Sequence, residues 1–207
     1  MSPARVLDVG PLARLVEITP GTAAAWAAAL HAEDLPGVVD VVPGARTVLV
    51  CCADRASTAQ VALRLPHIEP GAEGPGRDRR LVEIPVVYDG DDLDDVARVT
   101  GLDPTEVIAR HSESAFRVEF CGFAPGFAYL TGLDETLWLP RRATPRTRVP
   151  AGSVAIASTY SAVYPGVSPG GWHLLGTTST RIWDVDRDPP ALLEPGTDVR
   201  FVATVAP

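Results

Sequence analysis

The chain contains no lysine, and all 18 of its basic residues are arginine. A Walker A nucleotide-binding loop, a Schiff-base enzyme and a lysine general base all need the missing ammonium group, so these mechanisms are excluded. Any anion that the chain binds must be held by arginine side chains or by backbone N–H groups.

Cysteine and histidine are also scarce. The number of cysteines is odd and two of them are adjacent in an apolar run, so we expect buried, reduced thiols rather than a disulfide framework. The histidines lie far apart in the sequence and show no metal-ligand spacing, which predicts no metal site. The residues concerned are Cys51, Cys52, Cys121, His31, His67, His111 and His173.

Long apolar runs and excess positive charge are absent as well. No run approaches the ~20 residues that a membrane-spanning helix needs, and Met1–Gly10 has no basic segment followed by an apolar one. The net charge of −8 argues against a broad nucleic-acid-binding face. We therefore expect a cytoplasmic protein that binds neither a membrane nor nucleic acid.

The first third of the chain alternates apolar β-branched runs with helical patterns. The resulting β-α-β-β-α-β order is the split βαβ pattern of a ferredoxin-like sandwich. It leaves open whether the last strand closes the first sheet or begins a second domain. The predicted elements are strand Ala13–Ile18, helix Pro20–Asp34, hairpin strands Val38–Val42 and Thr47–Cys52, a helix from Asp54 to Leu65, and strand Arg80–Tyr88.

A segment rich in proline and glycine, Pro66–Arg79, has no periodicity and predicts a linker. We therefore expect two domains, an N-terminal α/β domain over residues 1–79 and a second domain over residues 80–207.

Two helix starts are predicted after the linker. The acidic stretch Asp89–Asp95 lacks the glycine and glutamate positions of a calcium loop, and acidic residues are favoured at a helix N-terminus. Asp103 supplies a capping side chain, with Pro104 at the first helical position and Glu106 at the third. This second helix is expected to reach His111.

From Ala115 onwards helical periodicity disappears, and short apolar runs alternate with Gly/Pro clusters. Such a pattern closes naturally into a β-barrel or a sandwich, so the predicted fold class is α+β. The predicted strands are Phe116–Cys121, Ser153–Ala157, His173–Leu175, Arg181–Trp183 and Val199–Val205.

Three segments combine turn residues with aromatic or basic side chains. They are Gly122–Leu130, the arginine-rich Pro140–Ser153, and Tyr164–Trp172 with its two adjacent glycines. Paired glycines let the backbone approach a ligand closely, and the prolines limit how far the arginines can move. Ordinary turns, a solvated arginine face or a hairpin would also explain each segment, but their coincidence favours a site.

These segments resemble the signature of one family. It is variously called the B-type subunit of 5-oxoprolinase, allophanate hydrolase subunit 1, or the sporulation-kinase inhibitor family. The resemblance is strong from Arg80 to Phe201 and extends to the first third in layout alone. Its motifs are Gly122-Phe123, Pro125-Gly126-Phe127, Tyr129-Leu130, Pro145-Arg146, Val149–Val154, Tyr164-Pro165 and Ser168–Trp172.

The resemblance implies a C-terminal cyclophilin-like β-barrel preceded by a small α/β domain. It also implies a complex that hydrolyses the small amide 5-oxo-L-proline to L-glutamate with hydrolysis of ATP. The partners would be a related C-type subunit, of the allophanate hydrolase subunit 2 type, and an A-type hydrolase subunit. ATP would bind at the level of the complex, because this chain has no P-loop, and the chain alone is expected to be inactive.

Three alternative functions stay open, because one fold serves several activities. The chain could be an allophanate hydrolase or urea carboxylase-type carboxyltransferase subunit. It could also be a binding module that inhibits a histidine kinase, or a ligand-binding scaffold without catalysis.

For lactam opening we predict an anion site and a proton carrier. Arg141, Arg142 and Arg146 are the predicted anion ligands, with Arg146 in the catalytic centre. His111 or His173 would carry the proton, although His111 also ends a predicted helix, where a cation favours the dipole. The other predicted substrate or anion contacts are Pro125, Gly126, Ser168, Trp172, Thr178 and the backbone N–H groups of Gly170 and Gly171.

The chain departs from the family pattern at three places. Thr177 stands where the family usually has arginine, and His173 stands where it usually has glutamine. The usual Gly-Gly-Gln-Thr-Gly stretch is replaced by Ser158–Ala162. If the missing arginine holds an anion, its replacement by Thr177 weakens binding or catalysis.

Overall fold

The computed structural model describes residues 5–19, 22–70 and 80–205. The chain forms two compact units, Met1–Asp78 and Arg79–Pro207. Residues 71–79 of the predicted linker lie outside the described residues, as does Pro20 at the predicted start of the first helix. Among the described residues, no helix has the length and apolar character needed to cross a bilayer.

The first unit is one antiparallel sheet with two helices. The four strands lie in the order β1-β2-β4-β3, and β3 and β4 form the predicted hairpin. Its elements are β1 (Arg5–Asp8), β2 (Ala13–Glu17), α1 (Ala23–Ala32), β3 (Val38–Pro43), β4 (Thr47–Cys52), α2 (Arg55–Arg64) and a 3-10 turn (Leu65–His67).

Every second residue of β4 contributes its side chain to the core of this unit. Val48, Val50 and Cys52 are buried, whereas the residues between them are only partly buried. This is the pattern of a sheet that packs one face against helices. Trp26 and Leu30, four residues apart on α1, are buried in the same cluster.

The predicted cap at Asp103 is confirmed, and a side chain also caps α2. The Asp54 carboxylate accepts the Ser57 N–H at 2.7 Å, and Asp103 forms a complete capping box with Glu106. Thr22 occupies the N-cap position of α1, but its hydroxyl donates to the carbonyl of Thr19 and makes no cap bond. A local side-chain-to-backbone bond has competed with the cap.

The second unit is built around a closed barrel of seven strands, in the order β10-β7-β6-β13-β5-β12-β9, and β8 and β11 form a separate ribbon. The α+β fold class is therefore confirmed. Its elements are β5 (Leu81–Val87), α3 (Leu93–Thr100), α4 (Pro104–Glu113), β6 (Phe116–Cys121), β7 (Ala128–Thr131), a 3-10 turn (Glu135–Leu137), β8 (Arg146–Val149), β9 (Ser153–Ala157), β10 (Tyr160–Val163), β11 (Ser168–Gly170), β12 (His173–Thr177) and β13 (Asp198–Thr204).

The strand predicted at Arg80–Tyr88 belongs to this barrel. As β5 it pairs in parallel with β13, and Ile84 lies opposite Phe201, with both side chains buried. A parallel pair needs a long crossover, which the rest of the unit provides. The fourth strand of the first sheet is instead β1, whose four residues carry too short a pattern to predict a strand.

The acidic stretch starts a helix as predicted, since α3 begins at Leu93. The predicted strand Arg181–Trp183 is wrong, because Trp183 makes only an isolated bridge with Ala191. The Arg187 guanidinium donates to four backbone carbonyls within residues 181–190. The carbonyls of Arg181 and Ile182, which would pair with a neighbouring strand, therefore accept hydrogen bonds from the Arg187 side chain instead.

Alanine in place of Gly132 is expected to cost far more stability than alanine in place of Gly101. Both glycines have positive φ, +101° and +74°, but only at Gly132 would a Cβ overlap a neighbour, the carbonyl of Ala115. We expect Gly132→Ala to lower the free energy of unfolding by roughly 3 kcal/mol or more, and Gly101→Ala by about 1–2 kcal/mol. Urea unfolding measures both, and equal losses would contradict the close packing at Gly132.

Candidate functional site

The three segments singled out in the sequence lie together in the second unit. In the β8–β11 ribbon, Ser168 pairs with Val149 and Gly170 pairs with Arg146. Beyond the ribbon, the Arg142 N–H donates to the Gly171 carbonyl at 2.8 Å. The arginine-rich segment therefore runs beside the segment that contains the paired glycines.

Aromatic rings join the remaining segment to this ribbon. The Phe127 ring centroid lies 5.3 Å from that of Tyr164 and 5.5 Å from that of Trp172, both edge-on. Tyr129 lies 5.6 Å from Trp172. These rings belong to a small hydrophobic core separate from the barrel interior, and Trp172 is only 4% exposed. Trp172 was predicted to contact the substrate, but its burial assigns it to this core.

Two of the predicted glycines are explained by packing. A Cβ at Gly170 would overlap the hydroxyl of buried Tyr164, and a Cβ at Gly126 would lie 2.7 Å from the Cβ of Trp183. Gly126 also has φ +80°. These positions require glycine whether or not a ligand binds. Pro125 is exposed, and its predicted contact with substrate stays a prediction.

Asp92 organises the arginine-rich segment. It is 1% exposed, and its carboxylate accepts two hydrogen bonds from Arg146, at 2.8 and 2.9 Å, and one from Arg142. The Leu174 backbone N–H donates a further bond at 2.8 Å. One carboxylate thus fastens two arginines to strand β12 of the barrel.

The balance of forces on Asp92 favours its charged form. Burial alone raises the pKa of Asp92, but the hydrogen bonds from Arg146 and Leu174 and the charges of both arginines outweigh burial. The pKa of Asp92 therefore lies below its ordinary value of 3.8. The hydrogen bond to Asp92 is in turn the main cause of the raised pKa of Arg146.

This arrangement corrects the predicted anion site. Arg142 and Arg146 were predicted to hold a ligand anion, but both are engaged by the protein's own carboxylate. Arg141 is exposed and forms no ion pair within residues 5–19, 22–70 and 80–205. Of the three predicted anion ligands, Arg141 alone has its charge available to a ligand.

Asp92 is the site residue that sequence reasoning missed. The acidic stretch was interpreted only as a helix start, and Asp92 does stand at the N-cap of α3 without making a side-chain cap bond. Fifty positions separate it from Arg142. The sequence does contain a signal for this contact, since it has one acidic run, Asp89–Asp95, and one arginine-rich segment, Pro140–Ser153, of opposite charge.

His111 is fully buried and bonded through both ring nitrogens. Nδ1 lies 2.7 Å from the Tyr88 hydroxyl and Nε2 lies 2.8 Å from Ser161 Oγ. The Ser161 hydroxyl lies 3.3 Å from the carbonyl of Ala155 and donates to it. The consistent assignment is a chain in which Tyr88 donates to Nδ1 and Nε2–H donates to Ser161. The ring also stacks on Phe201 at 4.7 Å.

This environment does not suit the predicted proton carrier. Burial lowers the pKa of His111 from 6.5 to about 3, so the ring is neutral near pH 7. A fully enclosed ring also has no path for exchanging a proton with a substrate. His111 is a polar element of the barrel core, and its predicted catalytic role is corrected.

The other predicted polar residues lie nearer the surface. His173 is partly buried, and its Nε2–H donates to the Pro140 carbonyl at 2.9 Å. Thr178 Oγ accepts the Thr180 N–H at 3.1 Å, and Ser168 is partly buried on β11. Their predicted contacts with substrate stay predictions.

Thr177, predicted to stand where the family usually has arginine, is exposed on β12. Its hydroxyl donates to the Asp89 carboxylate at 3.0 Å.

Cys121 is not an activated nucleophile. All three cysteines are free thiols. Burial, followed by the charge of Glu194, raises the pKa of Cys121 to about 11, so that thiol stays protonated at neutral pH. In the part of the chain that the structure describes, no group of three or more His, Cys, Asp or Glu side chains could hold a metal ion.

Comparison with known proteins identifies the family. Residues 6–193 match the family described as carboxyltransferase domain, subdomain C and D. The chain belongs to this family. It is 42% identical to the B subunit of 5-oxoprolinase from Escherichia coli O157:H7 over 211 residues, which cover 98% of this chain and 97% of that protein. The resemblance predicted from the motifs is thereby confirmed.

Two solved structures contain the fold of this chain as one part of a longer chain. The structure of TTHA0988 matches with a TM-score of 0.80 at 37% identity, over 94% of this chain and 40% of that chain. The urea amidolyase of Kluyveromyces lactis matches with a TM-score of 0.74 over 99% of this chain and 15% of that chain. At 20% identity the second likeness shows the fold alone.

Acid is expected to destabilise the protein through His111. Below pH 6.5 the unfolded chain binds a proton at this residue that the folded chain excludes, down to about pH 3. The contribution is therefore complete above pH 6.5 and falls by about 1.4 kcal/mol per pH unit as the pH drops further. Urea unfolding at pH 7.5, 6.0 and 5.0 measures the slope.

The matched control for this pH effect is an exposed histidine. His111→Gln should flatten the slope between pH 6.0 and 5.0, whereas His31→Gln should leave it unchanged, because His31 lies on the surface. The same slope in His111→Gln as in the parent chain would contradict the role of the buried ring.

Removal of the Asp92 charge is expected to loosen the arginine-rich segment. Asp92→Asn leaves two partly buried guanidinium groups without their counter-charge, so the free energy of unfolding should fall by about 2–4 kcal/mol. Asp91→Asn is the control, because Asp91 is 78% exposed and lies 3.8 Å from Arg146; its loss should stay under about 0.5 kcal/mol. Equal effects in urea unfolding would refute the central position of Asp92.

Proposed function

We propose that this chain is the B-type subunit of a complex that hydrolyses 5-oxo-L-proline to L-glutamate with hydrolysis of ATP. The observation that carries the proposal is the 42% identity, over nearly the full length of both proteins, to a protein named as the B subunit of 5-oxoprolinase. The loop segments that carry the family motifs also lie together in the second unit, as a shared site requires.

In this proposal the chain contributes substrate binding. The charge available at Arg141 suits the carboxylate of 5-oxo-L-proline, which a guanidinium binds through charge-assisted hydrogen bonds. Asp92 holds Arg142 and Arg146 in place, and the Arg142 N–H bond to Gly171 fixes the neighbouring backbone. Arg141 therefore projects from a fixed support, which lowers the entropy lost on binding.

The residues of this chain do not by themselves fit an ATP site. The chain has no lysine, and two of the four arginines in Pro140–Ser153, Arg142 and Arg146, pair with Asp92. We therefore assign ATP to the complex and derive no step through it. The general base is also assigned to a partner, because His111 is enclosed, His173 Nδ1 is buried while its Nε2–H donates to Pro140, and the Cys121 thiol stays protonated. The isolated chain is accordingly expected to be inactive.

We also propose a fold type for each of the two units. The barrel of the second unit corresponds to a cyclophilin-like domain. The first unit corresponds to a ferredoxin-like sandwich in which β1, at the start of the chain, takes the place of the last strand. The sheet order β1-β2-β4-β3 supports this, because β1 lies beside β2 where the last strand of that fold would lie.

A carboxyltransferase-type activity is the second candidate. The fold shared with the urea amidolyase of Kluyveromyces lactis favours it, as does the family description. The substrate would then be a carboxylated urea such as allophanate. Inhibition of a histidine kinase stays a prediction from the family resemblance.

The deciding experiment measures ATP-dependent release of glutamate from 5-oxo-L-proline. The chain is assayed alone, then with purified A-type and C-type subunits, each with and without ATP. Activity in the mixture alone supports the proposal, and turnover by the isolated chain would refute the shared site. A stable complex without activity would direct the assay to allophanate and carboxyl-transfer substrates.

The role of Arg141 is tested in the same assay. Loss of one charge-assisted contact should lower kcat/KM of the Arg141→Ala complex by about 10- to 100-fold. Arg98→Ala is the control, because Arg98 is 71% exposed and pairs with Asp95 on the surface of α3. If both variants keep the activity of the parent complex, Arg141 does not bind the substrate.

A further inference from the structure

Three loops of the second unit meet at Gly126. A Cβ at Gly126 would lie 2.7 Å from the Cβ of Trp183 and 3.3 Å from the Cβ of Pro165. The loop of residues 122–127 therefore packs directly against the loops that contain Pro165 and Trp183. Glycine at position 126 is what allows the three backbones to approach so closely.

Each of these loops exposes one large apolar side chain close to the meeting point. Phe123 is 64% exposed, Val167 is 52% exposed and Val185 is 76% exposed. Each stands within three positions of the residue that its loop contributes to the contact. We call Phe123, Val167 and Val185 the three-loop patch. A single exposed apolar residue needs no explanation, but several on adjoining loops mark an interaction surface.

The backbone holds Phe123 in a strained conformation. Its φ is +71°, and the Ala124 N–H donates to the Gly122 carbonyl at 2.9 Å across it. This is a γ-turn of the rare, positive-φ form, which is unfavourable for a bulky residue. Strain of this kind persists where the surroundings enforce it, and it is concentrated at functional positions.

The loop that carries Phe123 is closed and rigid. The Phe127 N–H donates to the Ala124 carbonyl at 2.9 Å, across Pro125 and Gly126. Proline followed by a glycine with φ +80° is the arrangement of a type II turn. The Gly122 N–H then closes the loop by donating to the Phe127 carbonyl at 3.1 Å.

The loop that carries Val185 is fixed by Arg187. That guanidinium donates to four carbonyls within residues 181–190. Rigid presentation lowers the entropy lost on binding, which is the property expected of a docking surface. Two of the three apolar side chains are therefore presented by loops that need no ordering when a partner binds.

Charges around the patch differ between its two sides. Exposed Arg148 precedes Val149, which pairs with Ser168 next to Val167. Exposed Asp186 and Asp188 follow Val185 along the chain. A complementary surface would carry carboxylates towards Val167 and basic groups towards Val185, and such an arrangement fixes the orientation of docking.

We propose that the three-loop patch docks the C-type subunit of the proposed complex, with Phe123 inserted into an apolar pocket on that subunit. The inference rests on the proposed function for the identity of the partner. Relatives are named as one subunit of an assembly, and the matched region is 40% of the TTHA0988 chain, so a fold of this kind occurs joined to further protein. The net charge of −8 disfavours a second copy of this chain as the occupant.

The test measures the affinity between this chain and the purified C-type subunit by isothermal titration. Aromatic anchors at interfaces carry much of the binding free energy, so Phe123→Ser should weaken binding by about 10-fold or more. Val167→Asp should also weaken binding by about 10-fold, because the new carboxylate would face the carboxylates expected on the partner surface towards position 167. Arg148→Glu should weaken binding most at low salt.

Val99→Asp is the matched control, since Val99 on α3 is 58% exposed and the change in charge is the same as in Val167→Asp. Thermal unfolding of each isolated variant checks that the fold is retained, and Phe123→Ser should keep or slightly raise the midpoint. Affinities of Phe123→Ser and Val167→Asp equal to those of the parent chain and Val99→Asp would overturn the proposal. Self-association of the parent chain that Phe123→Ser abolishes would also overturn it, in favour of a second copy.

Docking and catalysis are judged by different measurements. If the C-type subunit binds through the patch but the complex releases no glutamate, the proposed reaction fails and the docking surface stands. If the complex is active and Phe123→Ser and Val167→Asp leave its affinity unchanged, the docking surface fails and the proposed reaction stands. If the parent chain does not bind the C-type subunit, the docking proposal is overturned.

Discussion

The site depends on one buried carboxylate. Asp92 is almost completely enclosed, yet it stays charged because two guanidinium groups and one backbone N–H surround it. A buried charge is tolerated only where its hydrogen-bonding capacity is met in this way. The same bonds fix the arginine-rich segment to strand β12, and through Gly171 they fix the neighbouring glycine-rich segment. The position of Arg141, and with it the proposed substrate contact, follows from this anchor.

A second polar group is buried for a different reason. His111 stacks on Phe201 and is bonded at both ring nitrogens, and because it is fully buried it stays neutral and fills the barrel core. Asp92 is charged and positions a surface loop, whereas His111 is uncharged and stabilises the interior. The chain therefore offers fixed positive charge at the surface, and its predicted proton carrier His111 is enclosed, which agrees with a subunit that completes its active site with partners.

The loops that carry the family motifs have two structural roles. Their inward residues, such as Phe127 and Trp172, form a small core beside the barrel. Their outward residues, Phe123 and Val167, are held in the open by closed turns and close backbone contacts. The same loops thus account both for this small core and for the exposed apolar surface that we propose as a docking site.

The sequence by itself determined the local structure. The strand at Thr47–Cys52 and the capping box at Asp103 each depend on neighbours a few positions apart, and both are found as predicted. Only the tertiary structure decided that Arg142 and Arg146 meet Asp92, that His111 is enclosed, and that β5 pairs with β13. Residues 50 or more positions apart are joined in the contacts of Asp92 with the two arginines, of His111 with Ser161, and of β5 with β13. Sequence spacing carries no signal at that range, because closure of the barrel sets which side chains meet.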